Sequence, residues 1–494
     1  MIAAAYLAEA GLSVTVLESR NIIGGNTTSE ELTLPGFHHD SCSSAHVVIQ
    51  SNPLIRNDEL KLIAKYGLEY LVTDPAVVIP LGGDESLIIH PDVEKTAKEF
   101  EKYSVTDAQA LRVMMDDWDR GLRVSHAHYQ AGLPLPENEW SERYQTLRAK
   151  SAWQVVMETF ENSVIRQAMI WMSFATIQPP ERLGTGALPA AIISGRLKFG
   201  WTTPVGGSIA LPLALSRHIA DHGGEVLLEA TAEHLIVEKN KCVGVITADG
   251  REFRSRYGVV TGSHLKTLPS MLNEPTPMIN RAASLWRPGL AVFAVHFALM
   301  QEVSYRSENG AFHAVAGGLG SPEGLRRQVN AALDGRIDIS DPWLLMVAST
   351  VVDPKRAPGG AFKFLTIAPT LKNGIPWRDE DATSFALQLV KHASEYVSGL
   401  EPENILMMRA ESPTSLATHN IANISGSCHG GEFVMEDGSI IPGWLDYRTD
   451  LTGLYLTGST SHPGGSVSGR PGRNAARTVL DDLGIDSTKV ISRP

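Results

Sequence analysis

An α/β fold is predicted for this chain, with one domain assembled from separated segments and a mixed α+β domain inserted between them. Three observations predict it. "AAAYLAEAGLSVTVLESRNIIGG" (3–25) runs from a small-residue helix into an apolar strand that ends on an acid, and then into a Gly-Gly turn. That is the order of the back half of a nucleotide-binding βαβ unit. A second Gly-rich turn, a helix and several short β-runs occupy 204–263, and a strand, a third Gly-rich turn and a helix close the chain at 453–480.

Each element follows from local chemistry. Residues 2–10 read as a helix stopped by Gly11, and 13–18 as a β-branched strand. Glu18 ends that strand, where an acid accepts hydrogen bonds from ribose hydroxyls. Arg20 follows, and then Gly24 and Gly25, which let backbone approach a pyrophosphate without a Cβ in the way. Residues 55–200 are mostly helical in pattern, as in 106–130, where Asp107 lies one residue inside a Thr cap. Pro and Gly clusters at 132–136 and 179–187 break the run.

From 204 the texture changes to a helix ending on Gly-Gly, followed by hairpins punctuated at Lys239-Asn240-Lys241 and Asp249-Gly250. Strands are expected at 290–300, 343–351 and 361–368, and a helix at 379–398. In the last block "YLTGS" (455–459) is a buried strand ending on Gly458, and "HPGGSVSG" (462–469) opens a helix. A helix start presents free N–H groups and partial positive charge, which suits a phosphate or the electron-rich edge of a reduced flavin.

The bulk properties bound the function. At 494 residues the chain is long enough for two or three domains. A net charge of -12, with no Lys/Arg-rich run, argues against a nucleic-acid partner. Cys42, Cys242 and Cys428 are far apart, with no metal-ligand or disulfide spacing, so a structural zinc site is not expected and a reducing compartment is. No signal-peptide pattern opens the chain, and the longest apolar run (289–300) is too short to span a bilayer. There is no nucleophile elbow, Walker loop or HExxH motif.

With these motifs in view, the chain resembles the FAD-dependent oxidoreductases of the phytoene desaturase and amine oxidase superfamily, in the phytoene-dehydrogenase-related branch. The resemblance is carried by residues 3–25, "GFHHD" (36–40), 204–238, "HGGE" (429–432) and 442–477, and it spans nearly the whole chain. It implies a Rossmann-like FAD-binding domain from 1–50, 200–265 and 440–485, and a substrate domain from 51–199 and 266–439. It also implies that Glu18 holds the adenosine ribose and that Gly24 and Gly25 lie along the pyrophosphate and flavin. Ala232 would pair with the adenine edge. Gly458 would sit beside the pyrophosphate, and Gly465, Ser466 and Val467 against the isoalloxazine.

Such proteins begin with a strand and a GxGxxG loop, which do not precede Ile2 here. The expectation is a start assigned too late, and a 494-residue polypeptide that binds FAD weakly or is insoluble.

Toward substrate, His462 and Arg470 are the candidate acting residues, with packing and ion-pair roles as the alternatives. His429 and Glu432 sit in a loop the resemblance places near the active site. His38, His39, Asp40 and His46 form a polar cluster for which no metal is expected, because adjacent rings diverge along an extended chain. Trp201, Trp377 and Trp444 are expected to pack.

The implied activity is FAD-dependent dehydrogenation of a C–C bond of a small lipophilic substrate, with oxygen or a quinone as electron acceptor. Amine or alcohol oxidation, double-bond isomerisation, and a non-catalytic binding or chaperone-like role are the alternatives. A cytoplasmic location is expected, with transient membrane contact left open.

Overall fold

The computed structural model describes residues 1–432 and 440–493. The first helix, Ile2–Glu9, is buried at six consecutive positions from Ala3 to Ala8. Small side chains let two other helices approach it closely. Tyr6 and Leu7 share a core with Leu215 and Ile219 of the helix Ala210–Asp221, and with Ala476 and Leu480 of Arg470–Asp482. Gly472 is required there, because a Cβ on it would lie 2.8 Å from the Ile2 Cβ. Arg473 reinforces the contact through a buried ion pair with Glu59 at 2.6 Å.

Beside these helices run two parallel strand pairs. Thr15–Leu17 pairs with Glu225–Leu227, and Val259–Thr261 pairs with Leu454–Leu456. The two pairs are not hydrogen-bonded to each other. An antiparallel ribbon of Ala232–Glu238, Lys241–Thr247 and Glu252–Arg254 follows. Its first turn has Lys239 and Asn240 at φ of 50° and 61°, the positive pair a two-residue hairpin turn requires.

The 51–199 and 266–439 portions share a seven-stranded sheet. Its order is Ile405–Glu411, Ala291–Leu299, Gly360–Ala368, Leu344–Ala348, Ala316–Leu319, Val77–Gly82 and Glu85–Ile89. Ala291–Leu299 and Gly360–Ala368 are buried at all nine positions each, which explains their continuous apolar runs. Among the described residues no helix is long and apolar enough to cross a membrane.

Local expectations at several points differ from the structure. The Val77–Gly82 and Glu85–Ile89 hairpin interrupts the mostly helical 55–200 stretch. The cap of the 105–117 helix is Ser104, whose hydroxyl accepts the Asp107 N–H, and not Thr106. Asp107 itself accepts the N–H groups of Glu161 and Asn162 at 2.9 and 2.8 Å. The expected 106–130 helix carries a wider π turn at Trp118–Leu122, where Gly121 lies against the Trp140 ring. The helix expected at 379–398 ends at Ala393.

Candidate active site

A cavity of about 1390 Å³ lies between the strand pairs and the large sheet, above the ~300–1,000 Å³ of ordinary small-molecule sites. Segments from the whole length of the chain line it: Glu18, Gly24–Thr27, Cys42–Ala45, Ala232, Val259–Gly262, Gly458 and Gly465–Val467. Of the residues expected to hold a cofactor, all but Arg20 are brought together there.

The geometry at each explains its residue type. Glu18 leaves its strand as the Glu18 N–H donates to the Leu227 carbonyl at 2.9 Å. Its carboxylate accepts the Arg20 N–H at 3.0 Å, so it is held at the cavity edge by its own turn. Gly24 sits at φ 110°, and a Cβ there would meet the Thr27 carbonyl at 2.4 Å. Gly458 also has positive φ, as do Ser466 at 75° and Val467 at 46°. A β-branched residue in that region is strained.

Gly465 brings its loop onto the 429 loop, since a Cβ on it would lie 3.2 Å from the His429 Cα. Gly430 in turn presses on the Ser459 carbonyl, and its own carbonyl accepts the Trp286 indole N–H at 2.8 Å. The two Gly-rich loops are therefore stacked backbone on backbone at one end of the cavity.

Other candidates lie elsewhere. The Arg20 guanidinium is 2.6 Å from Glu30 and does not line the cavity. His462 and Arg470 do not line it either. His462 is fully buried between Trp444 and Tyr129, donates from Nε2 to the Tyr129 carbonyl at 2.6 Å, and is pushed down to about 4 by burial. It is a packing residue. Arg470 starts the last helix and is buried, its pKa lowered to about 10 by desolvation. The physical reason is that Gly465–Val467 faces inward while the loop ends on either side turn away. Glu432 pairs with Arg182, outside the cavity.

The His38–Asp40 stretch is structural. Asp40 is buried, accepts Ser29 Oγ at 2.6 Å and the Ser208 N–H at 2.9 Å, and pairs with Arg356 at 3.0 Å. Burial favours its neutral form, but Arg356 overrides this and holds the carboxyl at about 2. His39 meets Thr33 at 2.8 Å, and His46 meets Ser208 at 3.1 Å. Trp377 and Trp444 are buried packing residues, whereas Trp201 reaches the cavity wall.

Two buried cations in that wall escaped the sequence reading. Lys363, inside the fully buried Gly360–Ala368 strand, donates to the carbonyls of Cys42 at 2.6 Å and Asp40 at 3.1 Å. Burial pulls its pKa below the usual lysine value. Arg196 stacks on Trp201 with 4.3 Å to the ring centroid, its Nε and Nη1 have no partner, and burial lowers it to about 9. A charged residue within an apolar strand or helix face was the signal available for both.

The glycine cradle and the unpartnered Arg196 donors fit an elongated ligand with anionic and planar aromatic parts. The residues present therefore fit FAD.

Comparison with known proteins agrees. Residues 1–341 match the family described as flavin containing amine oxidoreductase. The chain is similar to the pyridine nucleotide-disulfide oxidoreductase domain-containing protein 2 of Mus musculus, 25% identical over 98% of this chain and 92% of that one. It is similar to a lycopene-forming phytoene desaturase of Pseudescherichia vulneris, 26% identical over 75% of this chain and 76% of that one. Among solved structures, putrescine oxidase bound to putrescine superposes with a TM-score of 0.60, at 14% identity over 98% of this chain and 96% of that one.

Proposed function

The chain belongs to the flavin containing amine oxidoreductase family, with FAD as its cofactor, and on that premise we propose that it dehydrogenates a C–C bond of a lipophilic substrate. One observation carries this reading. The cavity wall toward the large sheet is apolar, with Val47, Val48, Ile192, Leu345 and Leu365. The charged groups at that end are the cations Arg196 and Lys363, and the carboxylates lining the cavity, Glu18 and Glu252, belong to the strand units at the other end. A protonated amine entering that wall would be repelled and its desolvation uncompensated. A neutral hydrocarbon chain meets no charge repulsion there and gains ~25 cal/mol per Å² of apolar surface buried.

When bound, FAD supplies a two-electron acceptor that takes hydride at N5. The chain's own residues do the rest. Gly465, which has no Cβ, with the Ser466 and Val467 backbone beside it, gives a close surface for a planar ring. Lys363 fixes the Asp40–Ser44 segment through its carbonyl contacts, and so fixes one wall of the cavity. The apolar side chains hold the substrate C–H bond and exclude water; the second hydrogen leaves as a proton, for which the neutral imidazole of His429 on the cavity wall is an available acceptor. Oxygen or a quinone would then take the electrons.

The test is anaerobic. FAD-loaded protein is mixed with partly unsaturated isoprenoid hydrocarbons, whose C–H bonds beside a double bond can yield hydride, and, separately, with primary diamines. Flavin bleaching with the hydrocarbon, and a product lighter by two hydrogens, is expected. Bleaching only with the diamine would replace this reading by amine oxidation. A change in double-bond position without bleaching would indicate isomerisation, and no turnover of any class would favour a binding role.

A further inference from the structure

We propose that Glu9, His218 and His222 form a binding site for one divalent transition-metal cation, of which zinc is the representative. The three line no part of the cavity, so the site is separate from the flavin chemistry.

His218 and His222 are four residues apart at the end of the Ala210–Asp221 helix, a spacing that puts both rings on one face. The rings stack at 4.2 Å with 23° between their planes. Glu9 ends the neighbouring helix, and its Oε2 lies 2.8 Å from His218 Nε2 and 3.1 Å from His222 Nε2. One ligand atom from each residue thus falls within 4.8 Å of the others. Bonds of ~2.0–2.2 Å to a tetrahedral zinc separate ligand atoms by a little over 3 Å, close to the 2.8 and 3.1 Å at which the Glu9 carboxylate already stands from the two rings.

The tautomer of His222 makes the case for a cation. Its Nδ1 lies 2.8 Å from the His218 carbonyl oxygen. A carbonyl only accepts, so Nδ1 carries the proton, and in the neutral ring Nε2 is a bare lone pair. That lone pair faces a carboxylate oxygen at 3.1 Å. Two acceptors at that distance need a positive centre between them. The second imidazole stacks at 4.2 Å and shares the same carboxylate oxygen, so three donor atoms converge on one point.

A divalent cation bridges the His222 lone pair and the carboxylate, with His218 Nε2 within reach as a third ligand. The Nδ1-to-carbonyl bond is the contact that commonly fixes the tautomer and aim of a metal-binding histidine. The nearby Lys65 ammonium is already paired with Asp221 at 2.7 Å. His222 and Glu9 are partly exposed, at 30% and 33% of their side chains, which gives an entry path and room for water as the fourth ligand. This His-x₃-His spacing was not taken up from the sequence, because its third ligand, Glu9, is distant along the chain.

The consequence is a clamp. The Ile2–Glu9 helix contributes Ala3, Ala4 and Leu7 to the cavity, and a bound ion would fasten it to Ala210–Asp221. The test uses the full chain stripped with EDTA, with Cys42, Cys242 and Cys428 blocked by N-ethylmaleimide, and zinc chloride as titrant in a calorimeter. Wild type is expected to bind one equivalent and to unfold at a higher temperature when loaded. Affinity is expected to fall at least tenfold in His222→Ala or Glu9→Gln, in a variant whose metal-free unfolding midpoint equals that of wild type. Unchanged affinity in both variants, or no binding by wild type, overturns the proposal.

Discussion

Glu18 and Gly465, from opposite ends of the chain, line one and the same cavity. The first is held there by a parallel strand pair and its own turn, the second by a loop stacked on His429. That juxtaposition makes a single extended cofactor, gripped at both ends, the economical occupant.

If Glu18 takes the ribose of the adenosine half, Glu18→Ala should weaken FAD at least tenfold, or about 1.4 kcal/mol or more, as expected for loss of hydrogen bonds to a charged acceptor. FMN has no adenosine ribose, so its affinity should be unchanged. Flavin fluorescence titrations of both cofactors against both proteins check this, and equal losses for FAD and FMN would remove Glu18 from that role.

Gly465→Val places a branched side chain where the His429 Cα stands 3.2 Å from the added Cβ. The 429 loop and the cavity-facing Gly465 loop must separate. FAD binding is expected to fall at least tenfold, while the urea midpoint of the apoprotein moves by ~1–3 kcal/mol, the usual cost of overpacking. Circular dichroism and flavin titration on the same sample separate the two effects.

Asp40 gives the fold an acid limit. Its carboxyl is held at about 2, below the ~3.9 of an unfolded aspartate. Its ion pair therefore contributes fully above about pH 4 and is lost as pH falls through about 2. The shift corresponds to ~2.5 kcal/mol. In Arg356→Met the carboxylate stays buried without its partner, and stability at pH 7 should drop by ~3–5 kcal/mol. Urea unfolding between pH 2.5 and 7 should show the wild-type loss confined to the acid end, and the variant already weak at neutrality.

Arg196 should behave in the opposite way. It is a buried guanidinium stacked on Trp201 with two nitrogens unpartnered. Without cofactor, Arg196→Met should leave stability unchanged or raise it, by up to ~1–4 kcal/mol, because a desolvated unpaired charge is removed. The loss should appear on ligand binding instead. A destabilised apoprotein would mean that Arg196 is a structural residue.

These sites differ in how far the sequence disclosed them. The convergence of Glu18, Gly24 and Gly465 on one cavity was legible because a strand end and a Gly-rich turn have few physical explanations, and several occur in register. His462 and Arg470 were not, because a loop lacks the periodicity that tells which side chains point inward. Gly465–Val467 faces the cavity while His462 turns to Tyr129 and Trp444. The Val77–Gly82 strand was hidden because its run of buried residues also suits a buried helix, and its sheet partner Ala316–Leu319 lies far along the chain. Lys363 is a single charge whose partners, the 40–42 carbonyls, are distant in sequence.

The most direct measurement is a crystal structure of this chain with FAD. The isoalloxazine should lie against Gly465, Ser466 and Val467, with the adenosine ribose within hydrogen-bonding distance of Glu18. Ordered FAD anywhere else, or a ring system remote from Gly465, would contradict the account.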